Sequence, residues 1–132
     1  MAEGRVLIDT NVFISSFRGN KTAKLHIDAL RGRIAISTIT VLELYRGART
    51  VQRKEELTSQ LKAYHVLPLD TAISLKAEEL MRQHVSGQQD VFVADCLIAA
   101  TSIVYAMELL TYNHSDFNFM KELRLYTPSS SD

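Results

Sequence analysis

Arg5-Val6-Leu7-Ile8-Asp9-Thr10-Asn11-Val12-Phe13-Ile14 is the stretch on which the fold turns. Its first four residues form a short, partly β-branched run without polar alternation, the pattern of a strand buried on both faces of a parallel sheet. The run stops at Asp9-Thr10-Asn11, read as a polar turn, and apolar character resumes at Val12. A strand covered on both faces needs helices around it, and the rest of the chain supplies them. Thr22 is positioned to cap a helix through Leu25, Ile27 and Leu30 to Gly32, and Ile34-Ala35-Ile36 is a second strand followed by Ser37. Thr40 is positioned to cap a helix through Leu42, Glu43, Leu44 and Tyr45 that stops near Gly47. The charged segment from Arg49 to Tyr64, with Val51, Leu57 and Leu61 as its apolar stripe, reads as a solvated helix. Val66-Leu67-Pro68-Leu69 is a third strand, and Pro68 marks a sheet edge or a strand end. Asp70 or Thr71 caps a helix with Ile73, Leu75, Ala77, Leu80 and Met81 that ends before Gly87. A long apolar helix runs from near Asp90 to Ala106, Leu109-Leu110-Thr111 is a fourth strand, and Leu123-Arg124-Leu125-Tyr126 a fifth. This alternation predicts an α/β class: a three-layer α/β/α sandwich around a mostly parallel sheet of about five strands.

The 132 residues suit one domain, spanning 1–132, with a frayed tail at 128–132, and 46% apolar residues suffice for a packed core. There is no internal repeat, Gly-rich P-loop or dinucleotide fingerprint. The single cysteine, Cys96, excludes an intrachain disulfide and a cysteine-rich zinc site, and fits a reducing, cytoplasmic setting. Residues 6–8 are too short a run for a secretory signal. The longest apolar stretch, Val91–Leu110, carries Asp95 and Glu108, so a buried helix is expected and no membrane span.

The formal charge is zero, with 15 basic and 15 acidic residues, which argues against a generically basic nucleic-acid binder. The total conceals a split: residues 1–62 hold 11 basic against 6 acidic residues, and residues 63–132 hold 4 against 9. A +5 half and a −5 half suggest an acidic site beside a basic surface, although unevenly charged helix faces would give the same count.

Chemistry in parallel sheets collects at the carboxyl ends of strands. Asp9 directly follows strand 1, Glu43 lies in the helix after strand 2, Asp95 lies early in the most apolar helix, and Asp116 follows strand 4 by a short loop. Each admits a structural role: Asp9 and Asp116 as caps, Glu43 in an ion pair with Arg46 or Arg49, Asp95 at a helix N-terminus. Asp95, between Ala94 and Cys96-Leu97-Ile98, is the most informative, because a carboxylate on a helix apolar nearly all round needs a cation or terminal amides. Several converging carboxylates repel one another unless a hard divalent cation sits among them, and an all-oxygen set favours Mg²⁺ or Mn²⁺ over Zn²⁺. With the basic half nearby, that combination points to hydrolysis of a phosphodiester.

Four stretches carry a family resemblance: Ile8-Asp9-Thr10-Asn11-Val12, Ile39 to Gly47, Ala94-Asp95-Cys96-Leu97-Ile98-Ala99-Ala100, and Leu110-Thr111-Tyr112-Asn113-His114-Ser115-Asp116-Phe117. They resemble, in order and over nearly the whole chain, the motifs of the PIN domain, and more closely the VapC-type toxins of bacterial and archaeal toxin–antitoxin pairs. The resemblance implies a Mg²⁺- or Mn²⁺-dependent endoribonuclease that leaves a 5′-phosphate and a 3′-hydroxyl. Asp9, Glu43, Asp95 and Asp116 match the family's catalytic, metal-holding acids, and Thr10, Asn11, Thr111 and Asn113 its supporting polar residues. It also implies a homodimer and a cognate VapB-type antitoxin that blocks the site. The lead-in to Asp95, residues 87–94, departs from the usual small-polar pattern and adds Asp90 as a possible rim acid.

RNA contacts are sought first among Arg46, Arg49, Arg53 and Lys54, then among Lys21, Lys24, Arg31 and Arg33; solvated helix faces are the alternative. His26, His65 and His84 show no evident partner and read as surface or packed residues, and His114 as a loop residue. Rival readings fit less well. A haloacid dehalogenase-like phosphatase needs a second carboxylate where Asn11 stands, and a receiver domain needs an early acid pair that is absent. A solitary RNA-processing PIN nuclease stays open, distinguished by the absence of a neighbouring antitoxin gene.

Overall fold

The computed structural model describes residues 4–85 and 91–129. Four short strands, β1 (Val6–Ile8), β2 (Ile34–Ser37), β3 (His65–Leu67) and β4 (Glu108–Leu110), form one sheet in the order β3-β2-β1-β4. All three pairings are parallel, with Val6 opposite both Ile34 and Glu108. Six helices surround it: α1 (Thr10–Phe17), α2 (Lys21–Ala29), α3 (Thr38–Gly47), α4 (Val51–Leu61), α5 (Thr71–His84) and α6 (Val93–Val104).

The period-2 geometry of the strands makes the three layers. Val6, Ile8, Ile34, Ile36 and Leu110 face one core, with Val12 and Phe13 of α1, Ile27 of α2, Leu44 of α3 and Leu57 and Leu61 of α4. Leu7, Ala35, Leu67 and Leu109 face the other, with Ile73 and Leu80 of α5 and Ile98, Ala99 and Ala100 of α6. The small side chains of Ala35, Ala99 and Ala100 are fully buried there, filling little space between α6 and the sheet. Among the described residues, no helix is long and apolar enough to cross a membrane.

Several sequence expectations need correction. The fifth strand at 123–126 is reduced to a single parallel bridge between Leu125 and Leu109. Alternating Leu and Arg leaves that segment little continuous apolar surface to bury. The supposed polar turn at Asp9-Thr10-Asn11 is instead the cap and first turn of α1. Asn20 and Ser37, not Thr22 and Thr40, cap α2 and α3, because each lies directly before the first free helical amides. The edge position implied by Pro68 is right: β3 ends the sheet just before it. Asp90, residues 130–132 of the tail and the start expected for the apolar helix lie outside the described residues.

Candidate active site

Strand order defines a crevice before any side chain is considered. From β1 the chain steps outward through β2 to β3, then returns to the other side of β1 as β4. In sheets wound this way, ligands bind at the carboxyl ends of the strands flanking the reversal. Asp9 follows β1 and Thr111 follows β4. Thr111 Oγ1 donates to Asp9 Oδ2 at 2.8 Å, across 102 residues of sequence, and both residues are buried.

Asp9 has a second task. Its Oδ1 accepts from the Thr10 N–H at 2.8 Å and caps α1, the structural role the sequence also admitted. Thr111 is fixed in turn by the Asn113 N–H, 3.1 Å from its hydroxyl oxygen, and by Asn11 Nδ2 at 3.4 Å. Asn11 Oδ1 accepts from the Tyr112 N–H at 3.3 Å. The expected supporting residues therefore meet, but Asn113 contributes its backbone N–H and its side chain is exposed.

Glu43 approaches from α3. Thr10 Oγ1 donates to Glu43 Oε1 at 2.6 Å and lies 3.0 Å from the Thr40 hydroxyl. Thr40 and Glu43 are three apart on the helix, hence on one face, and both turn toward Thr10. Asp95 stands in the first turn of α6, and Asp116 ends a 3₁₀ turn, His114–Asp116; both are partly buried.

The electrostatics tie the four acids together. Burial pushes Asp9 up from 3.8 to about 6, the Thr111 and Thr10 hydrogen bonds pull it back, and the Glu43 and Asp116 carboxylates raise it again. Burial, then the charges of Asp9, Asp116 and Glu43, push Asp95 to about 7. Among the described residues, no lysine or arginine is among the groups that shift either carboxylate. Such a cluster carries less negative charge at neutral pH than four free carboxylates unless a cation enters it. The donor set, oxygen only, fits Mg²⁺ or Mn²⁺. Among the described residues no three Asp, Glu, His or Cys side chains form a ready-made metal cage. Mg²⁺ does not need one, since it keeps several waters and takes few protein carboxylates.

A groove of about 460 Å³ runs out from Glu43. Ile14 and Phe17 give it apolar wall, and Arg18, Lys24 and Arg53 line it against the acids Glu43 and Glu56. Arg46 and Arg49 are exposed but do not line it. One cation came from each nominated basic group, and Arg18 from neither. Its placement depends on how α1 ends, which no spacing rule reports.

The PIN domain family model matches residues 6–122, the span that holds all four acids. The chain belongs to the PIN domain family. Ribonuclease VapC10 of Mycobacterium tuberculosis is 31% identical over 121 residues, 90% of each chain. Ribonuclease VapC1 of Methanocaldococcus jannaschii is 28% identical over 123 residues, 93% of this chain and 86% of its own. A toxin-antitoxin complex from Klebsiella pneumoniae matches with a TM-score of 0.80 at 27% identity, over 94% of this chain and 98% of that one.

This PIN domain also has a pairing that the sequence did not suggest. His26, expected to lack a partner, lies with its Nδ1 2.6 Å from the Tyr112 hydroxyl. His84 packs edge-on against Phe119 at 5.0 Å, while His65 and His114 are exposed.

Proposed function

We propose that this PIN domain is a metal-dependent endoribonuclease and the toxin of a toxin–antitoxin pair, the whole chain forming one nuclease domain. The observation that carries the reading is the convergence of Asp9, Glu43, Asp95 and Asp116 at the β1–β4 crevice, where, among the described residues, no basic group offsets the burial of Asp9 or Asp95. The relatives' names support RNA as the substrate, the Klebsiella toxin-antitoxin complex supports an antitoxin partner, and the reading assigns that partner to the VapB type. A homodimer and a cytoplasmic location belong to the same reading.

The four acids are assigned to hold Mg²⁺ or Mn²⁺, directly or through the ion's waters. When bound, such an ion polarises the phosphoryl group and makes a water acidic enough to attack it at neutral pH. The chain's own contribution is alignment. Thr111 turns the Asp9 carboxylate into the crevice, Thr10 does the same for Glu43, and the Asn113 N–H and Asn11 amide hold Thr111. Arg18, Lys24 and Arg53 draw the phosphate backbone toward the groove beside Glu43, with Arg46 and Arg49 as outlying contacts. No histidine is needed as general base.

The test is incubation of the purified protein with total RNA and with tRNA, in Mg²⁺, Mn²⁺ or EDTA, beside Asp9→Asn and Asp95→Asn. Cleavage is expected only for the unaltered chain with a divalent ion. Cleavage that survives EDTA, or both substitutions, contradicts the reading.

A further inference from the structure

Tyr112 directly follows Thr111, so its Cα lies about 3.8 Å from that of a residue bonded to Asp9. Its backbone N–H is held by Asn11, and its hydroxyl is held by His26 of α2, 86 residues away. The imidazole and phenol rings lie 5.8 Å apart, tilted by 57°. The side chain nevertheless remains 38% exposed. A ring held through its backbone by Asn11 and through its hydroxyl by His26, on the residue that follows Thr111, with this much surface in solvent, is a pre-organised contact surface. Burial pushes the phenol's pKa up from its ordinary value. α2 also carries Lys24, which lines the groove beside Glu43.

We propose that the Tyr112 ring, positioned by His26, is a stacking platform for an unpaired nucleobase adjoining the scissile phosphate at the four-acid crevice. The proposal rests on the ribonuclease reading and narrows its substrate to RNA that is single-stranded at that nucleotide. A base within a duplex has both faces covered by its neighbours, whereas a splayed base offers a face to an aromatic side chain. Stacking of this kind tolerates any base, so the platform selects for strandedness more than for sequence. His26 is a positioning residue, since its Nδ1 is committed to the Tyr112 hydroxyl.

The experiment uses the full chain, Ca²⁺ in place of Mg²⁺ to permit binding, and 12-nucleotide single-stranded RNAs carrying 2-aminopurine at each position in turn. Anisotropy reads affinity, and quenching of 2-aminopurine reads stacking. One position is expected to be quenched by the unaltered chain and, more weakly, by Tyr112→Phe, which keeps the ring and loses the hydroxyl that His26 holds. Tyr112→Leu and Tyr112→Gln are expected to lose the quenching and to bind roughly 5- to 100-fold more weakly. His26→Ala is expected to retain binding with weaker quenching, and the same RNA as a duplex to give none. A purely structural His26–Tyr112 link predicts that Phe fails as badly as Leu, and that result overturns the proposal. Equal quenching by the unaltered chain and both non-aromatic variants overturns it too. If the unaltered chain cuts RNA in Mn²⁺ under either of those results, the platform falls and the nuclease stands. If it neither binds nor cuts any RNA, the ribonuclease reading itself falls, and the platform with it.

Discussion

Thr111 donates its hydroxyl proton to the buried carboxylate of Asp9 at 2.8 Å, and that bond joins the carboxyl ends of β1 and β4. The two residues stand 102 positions apart and meet because the sheet reverses its winding direction between those strands. The bond stabilises a carboxylate that burial disfavours and fixes its orientation at the strand ends.

Thr111→Val removes the donor and leaves Asp9 with only its helix-capping bond. RNA cleavage should fall by about 10- to 100-fold, the usual cost of losing a residue that orients a metal-binding group. Stability should fall by about 1–3 kcal/mol, because a buried acceptor loses its partner. Thr111→Ser keeps the hydroxyl and should stay near the unaltered chain in both assays, cleavage rate and urea unfolding.

Asp9→Asn should separate stability from activity. The amide oxygen can still accept from the Thr10 N–H and its NH2 can donate to the Thr111 hydroxyl oxygen, but it carries no charge into the cluster. In EDTA at about pH 8 its melting temperature should be higher than that of the unaltered chain, while cleavage disappears. A lower melting temperature there would mean that the Asp9 charge is compensated after all.

The pH dependence follows from the same two acids. Asp9 and Asp95 rise from 3.8 to about 6 and about 7 on folding. A raised folded pKa contributes stability that is full below the unfolded value and is lost as pH climbs through the folded one. In EDTA, thermal melts should therefore show stability declining from about pH 4 to about pH 8 from this source. Added Mg²⁺ binds the deprotonated acids, so the stabilisation it confers should grow over the same range. A Mg²⁺ effect that is flat with pH would sever the ion from these carboxylates.

How far the sequence reaches is clearest at single residues. The strands were legible because Val6-Leu7-Ile8 and Ile34-Ala35-Ile36 are unbroken apolar runs, and the four acids because three follow strands and one interrupts an apolar helix. Which neighbour each hydroxyl serves was not legible. Thr40 looked like a helix cap, yet Ser37 caps α3 and Thr40 faces Thr10, since a threonine one turn from Glu43 is equally suited to either bond. His26 and Tyr112 lie on elements that meet only through tertiary packing, so no local spacing announces them.

Ser37 links the fold to the site, because the helix it caps carries Glu43. Its Oγ accepts from the Ile39 N–H at 3.1 Å, and the residue is fully buried. Ser37→Ala should cost about 1 kcal/mol in urea unfolding, with a measurable loss of cleavage as the first turn of α3 loosens.

The groove cations make a prediction that uses salt alone. Arg53→Ala and Lys24→Ala should weaken RNA binding uniformly across sequences and reduce the salt slope by about 0.7 each, the value for one phosphate contact on a single strand. Arg46→Ala and Arg49→Ala should follow if those side chains reach the backbone from outside the groove, and an unchanged slope removes them.

The central claim is that the four carboxylates hold the ion on which cleavage depends. Mn²⁺ titration followed by electron paramagnetic resonance, with RNA cleavage measured on the same samples, tests it most directly. The account predicts that the free Mn²⁺ signal is depleted over the range in which cleavage saturates, and that Asp9→Asn and Asp95→Asn lose both together. Mn²⁺ bound equally well by the two variants, or cleavage that proceeds before any Mn²⁺ is bound, would contradict it.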